Sequence, residues 1–230
     1  MYDIRGANGT GTSANPVLSK TTNAKAYTVR KLADGNCWMT ENLALPLATG
    51  VTVEAAHNTS ATPYNFTPTS CSTNGQCPMD GNTIYYSSNG QWYYSWYAAT
   101  AGTVDTGSAS GGVDASVSIC PVGWRMPANY TASATKSYGS ITNAYLGITN
   151  TTSGNYTSSL ETFPLDFGRD GCIGSGTMNN RGGYGYYISS TTYTSNPEYT
   201  YLLAYNTSTL GVQYYNHYKW WGSSLRCVAL

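Results

Sequence analysis

Apolar and polar residues alternate along Ala26-Tyr27-Thr28-Val29-Arg30-Lys31-Leu32. Asp34-Gly35 then supplies a tight-turn signal before a second β-prone run, Cys37-Trp38-Met39-Thr40-Glu41-Asn42-Leu43. The pattern predicts a β-hairpin. From Pro46 to about Gly90 the periodicity fades into Thr, Ser, Asn, Gly and Pro, which predicts a long surface excursion whose tip is stapled by Cys71 and Cys77. Trp92-Tyr93-Tyr94-Ser95-Trp96-Tyr97-Ala98-Ala99 is too short for its period to separate strand from helix, and a helix is expected from Ser95 onward. A Gly, Ser and Asp loop over 102–116 leads into a tight segment bracketed by Pro121 and Pro127. A helix is expected over 131–146, and the last third reads as a strand meander at 183–192, 199–206, 211–215 and 223–228.

Length and composition narrow the class. The 230 residues suit one sizeable core, so a single domain is expected over 25–230 after a loose segment at 1–24. Charged residues make up only 10% of the chain, 11 basic against 11 acidic, with no run of like charge, which disfavours nucleic acid and anionic membrane as partners. No stretch approaches the ~20 apolar residues of a spanning helix, and the opening residues lack a signal-peptide pattern, so a longer precursor is expected. The aromatic content is 22 Tyr and 6 Trp against 3 Phe, a bias toward rings that keep a polar end for water or a ligand. Six Cys without a CxxC pair or a His at metal-ligand spacing favour disulfides over a metal. Each bridge contributes about 2–4 kcal/mol and persists in an oxidising compartment, so an extracellular or cell-surface location follows.

Catalytic chemistry finds little footing. Only His57 and His217 could serve a Ser-His or Cys-His constellation, and a solvent-facing or ligand-touching imidazole is the plainer reading of His217. Glu161, Asp166 and Asp170 could bind calcium, although Asp in such loops ordinarily bonds its own backbone; no other cofactor is expected. Gly171, Gly174 and Gly176 lack the Lys-Ser/Thr ending of a phosphate loop. No enzyme is expected. The informative feature is a crowd of Tyr and Trp in the last third, interleaved with Asn, Gln and His, which resembles the residue usage of paratopes. Tyr186, Tyr187, Tyr193, Tyr205, Asn206, Gln213, Tyr215, His217, Trp220 and Trp221 are the candidate ligand-binding residues, with a core role expected for about half of the Tyr in this region.

Three stretches together resemble a known family: Tyr27-Thr28-Val29 followed by Cys37-Trp38-Met39-Thr40-Glu41-Asn42-Leu43, then Ile119-Cys120-Pro121-Val122-Gly123-Trp124-Arg125-Met126-Pro127, then Leu225-Arg226-Cys227-Val228. Tyr94-Ser95-Trp96-Tyr97-Ala98-Ala99 and Gly185-Tyr186-Tyr187-Ile188-Ser189-Ser190-Thr191-Thr192-Tyr193 add to the likeness. The family is the Fibrobacter succinogenes major paralogous domain of bacterial surface and secreted proteins, and the resemblance covers about residues 25 to 230. It implies a strand-rich α+β, C-type-lectin-like fold with long loop excursions, stapled by disulfides, whose first and last strands pair. The helix start after Pro127 departs from the related pattern, since Ala128-Asn129-Tyr130-Thr131 stands there. The family pattern implies Cys120 with Cys227, leaving Cys37 with Cys172 beside the local pair Cys71 with Cys77; the rival set is Cys37 with Cys227 and Cys120 with Cys172. It also implies a C-terminal ligand face, which some lectin-like proteins diversify. The expectation is therefore an exported surface module for adhesion, binding a glycan or protein. The alternative is the structural head of a filament or surface layer, which would self-associate.

Overall fold

The computed structural model describes residues 26–44, 91–100, 114–115, 117–129, 136–150, 152–174, 177–193, 195–196, 198–214 and 217–230, with the backbone of short strands at 52–53, 64–65 and 85–88. The first hairpin forms as the alternation predicts, from β1 (Val29–Lys31) and β2 (Cys37–Met39) in antiparallel register. Gly35 takes the left-handed conformation its turn needs, at φ 82°. Asp34 accepts the Asn36 amide at 3.1 Å, and its other carboxylate oxygen accepts the Trp38 indole N–H at 3.0 Å and the Ser140 hydroxyl at 2.8 Å. One turn residue thus shapes the hairpin and ties it to a distant helix.

Within the span expected to be loop lie a short antiparallel pair, β3 (Thr52–Val53) with β4 (Tyr64–Asn65), and β5 (Tyr85–Ser88), which pairs with β6 (Gln91–Tyr94). Cys71, Cys77, His57 and the segment 1–24 fall outside the described residues. The helix α1 (Trp96–Ala99) starts as expected after Ser95, whose hydroxyl accepts the Ala98 amide at 3.2 Å. After β7 (Trp124–Arg125) comes α2 (Tyr138–Leu146), shorter than expected. Lys136 sits at φ 65°, which no helix can run through, and Ser137 then opens α2 with a reciprocal Ser137–Ser140 capping box. Gly147 closes it in the left-handed conformation.

The remaining elements are β8 (Thr152–Ser153), α3 (Thr157–Glu161), β9 (Cys172–Gly174), β10 (Thr177–Asn179), β11 (Gly185–Thr192), β12 (Thr200–Tyr205), β13 (Thr209–Tyr214) and β14 (Val228–Ala229). They form a sheet of order β11-β12-β13-β8, a β10-β9 ribbon and a sheet of order β1-β2-β14-β7, so the last strand lies beside the first hairpin. The Met39 amide donates to the Cys227 carbonyl at 3.0 Å and the Leu43 amide to that of Leu225 at 2.7 Å, extending this union beyond the regular strands.

Alternation along β2 and along the residues entering β14 sends Met39 and Cys227 into one apolar cluster with α1, Ile119 and Met126, and Trp38 and Val228 into another with α2, Leu203 and Val212. Tyrosine does the work that Phe does elsewhere. Tyr138, Tyr187 and Tyr205 are fully buried, and their hydroxyls donate to the Ile188, Gly168 and Phe167 carbonyls at 3.2, 2.9 and 2.8 Å.

Cys120 and Cys227 are bonded, in agreement with the first expected pair. The expectation for Cys37 and Cys172 is corrected: both are free thiols, and the rival pairings of Cys37 with Cys227 and Cys120 with Cys172 fail with them. Cys172 packs instead as a small apolar residue against Tyr186, Leu202 and Ala204. The class is strand-rich α+β.

Candidate functional site

The segment after β13 is held against the start of β12 by backbone bonds. The Thr200 amide donates to the His217 carbonyl at 3.0 Å, the Lys219 amide to that of Glu198 at 2.8 Å, and Tyr199 and Tyr218 form an isolated antiparallel bridge. A tight turn, with the Trp221 amide donating to Tyr218 at 3.0 Å, then places Trp220 and Trp221 in succession.

These constraints bring aromatic rings into an unbroken series. Tyr201 meets Tyr193 at 5.3 Å between centroids, Tyr193 meets Tyr199 at 6.4 Å, and Tyr199 meets Tyr218 at 4.7 Å. Tyr218 touches Trp220 at 5.3 Å and Trp221 at 5.5 Å. The series continues inward from Trp221 to His217 at 5.3 Å and Tyr186 at 5.7 Å, then out to Tyr184 at 5.4 Å and Tyr214 at 6.3 Å. Tyr184, Tyr193, Tyr199, Tyr201, Tyr214, Tyr218, Trp220 and Trp221 are half-buried.

Of the residues singled out from sequence, Tyr193, Trp220 and Trp221 stand in this half-exposed series. Gln213 is half-buried beside it in β13, and Tyr215 lies outside the described residues. Tyr187 and Tyr205 are core residues. Tyr186 is 6% exposed and forms the floor under Tyr184, its hydroxyl accepting from the Asn180 amide group at 3.1 Å. Asn206 is also buried; its Oδ1 accepts the Ser208 and Thr209 amides at 2.7 and 2.8 Å, so it shapes a turn.

His217 is buried rather than solvent-facing, and burial pushes its imidazole down to about 3, leaving it neutral. Its Nε2 lies 2.8 Å from the Ser223 hydroxyl, but both residues are at most 1% exposed. The pair braces the turn from inside. Lys219 also points inward: it is fully buried, its ammonium lies 4.9 Å from the centre of the Trp96 ring, and burial pushes it down to about 7.

Gly171 and Gly174 of the glycine-rich stretch have packing roles, and Gly176 lies outside the described residues. A Cβ on Gly174 would stand 2.6 Å from carbons of the Trp221 indole, so the bare backbone of β9 is what lets that ring lie down. At Gly171, φ 73°, a Cβ would collide with the backbone of Asn179 and Arg181. The three acids have separate employment. Glu161 pairs with Arg169 at 2.6 Å, Asp170 accepts from Asn42 at 2.8 Å, and the Asp166 carbonyl accepts from Arg226. Among the described residues no group of three or more His, Cys, Asp or Glu converges on a metal position.

Sequence reasoning placed Tyr199 and Tyr218 in the aromatic crowd but not among the ten candidate positions, although they join the two halves of the series. Their pairing spans the 198–200 and 217–219 segments, and no local pattern announces it. Comparisons with protein-family models, curated proteins and solved structures return no match.

Proposed function

We propose that this chain is an exported bacterial cell-surface recognition module that binds a glycan or protein through its aromatic face and catalyses no reaction. The reading carries with it a C-type-lectin-like fold similar to the major paralogous domains. The observation that supports it is the unbroken series of half-exposed rings from Tyr201 to Trp220, fixed by backbone bonds rather than left on a loose loop. Rings held in place lose little entropy on contact, and Tyr and Trp dominate binding hot spots for that reason. The Cys120–Cys227 bridge suits an oxidising exterior.

The test is binding of the oxidised domain to glycan arrays and whole bacterial and host cells, with calcium and with chelator. Saturable binding that Trp220→Ala abolishes, with the melting curve retained, supports the reading. A folded domain that binds nothing and forms ordered oligomers supports instead a structural head in which these rings pack against neighbouring subunits.

A further inference from the structure

We infer that the aromatic face takes an uncharged polysaccharide, an inference that rests on reading this face as a recognition surface. Charge comes first. In the described ring-bearing segments 184–193, 198–201, 213–214 and 217–221 the charged residues are Glu198 and Lys219. Glu198 is exposed, whereas the Lys219 ammonium is sequestered over Trp96, and His217 is buried. These segments therefore offer an approaching carboxylate or sulfate one exposed anion and no exposed cation of their own. Arg181 is exposed in the turn that precedes Tyr184. A uronate, sialylated or sulfated chain would be repelled, while a neutral one has no charge to desolvate.

Shape comes second. None of the rings is among the strongly exposed large apolar side chains of the described residues, which are Val122, Phe163 and Leu230. A half-buried ring offers no knob for a protein pocket, whereas a pyranose can stack its C–H groups on whatever part of a ring is accessible.

Extent comes third. Successive ring centroids 4.7 to 6.4 Å apart continue across several residues, so the cluster extends beyond one contact. Such an extent favours a polymer, because each further sugar that settles on a ring binds as an already tethered unit.

The experiment measures Trp fluorescence and calorimetric titration of the oxidised domain with matched polymers: hydroxyethyl cellulose against carboxymethyl cellulose, and neutral against sulfated preparations of mannan and β-glucan. At least one neutral polymer should bind, with its charged derivative weaker by about tenfold or more. Tyr218→Ala should lose that binding, while Glu198→Lys, at an exposed position, should keep it and gain affinity for the charged derivative. Equal or tighter binding of the anionic polymers by the unaltered domain would overturn the inference. Protease-sensitive binding to cells without polysaccharide binding would also overturn it and leave the recognition reading standing. Silence toward polymers and cells alike from a folded protein would remove both.

Discussion

Arg226 shows how much of the fold rests on one side chain. It is 3% exposed, its guanidinium lies 4.1 Å from the centre of Phe167 and 5.5 Å from that of Tyr187, and it donates to the Leu165 and Asp166 carbonyls and, at 3.1 Å, to Asn42 Oδ1. The work of Asn42 and Arg226 is structural: a planar fork satisfies three acceptors from distant parts of the chain. Arg226→Met keeps the stem but strands those acceptors, and denaturant titration should record a loss of about 3–5 kcal/mol. A loss under about 1 kcal/mol would show that the network is dispensable.

His217 and Lys219 give the molecule a stability that rises with pH in two windows. The folded His217 pKa is lowered from 6.5 to about 3, so its contribution is full above about 6.5 and is lost as pH falls toward 3. The folded Lys219 pKa is lowered from 10.5 to about 7, so between those values the unfolded chain holds the extra proton and stability climbs with pH. Denaturation midpoints of Lys219→Met across this upper window should be flatter than those of the unaltered protein; parallel curves would contradict the assignment.

At the scale of elements, the aromatic face depends on a strand that carries none of its rings. Gly174→Ala should tip the Trp221 indole off β9, changing the near-ultraviolet circular dichroism and weakening ligand binding more than it lowers the melting temperature. Unchanged spectra would mean that β9 yields instead. The hairpin and α1 were legible because Asp34-Gly35 and Ser95 act within a few residues of themselves. The start of α2 was not legible, because what stops the helix is the left-handed backbone at Lys136, a residue with no special preference for it. The core Tyr residues were likewise hidden among the surface ones. What separates Tyr205 from Tyr199 is a carbonyl at Phe167 waiting for a hydroxyl, and sequence spacing carries no trace of it.

At the scale of the whole molecule, the last strand is the keystone. It lies between β2 and β7, and the Cys120–Cys227 bridge closes a span of 107 residues onto it. Reduction should lower stability by roughly 4–5 kcal/mol, measured by denaturant titration with and without reductant. That the first hairpin and the last strand pair was implied by the resemblance, and so was this one bridge; the even cysteine count misled for Cys37 and Cys172, because a thiol also serves as a small apolar side chain. Cys172 is 1% exposed beneath Tyr186, and burial pushes its thiol up to about 12, so a labelling reagent meets almost no thiolate until that region opens. The rate at which Cys172 is alkylated is therefore an internal clock for breathing beneath the aromatic face, and a ligand that grips the rings would slow it without any added reporter.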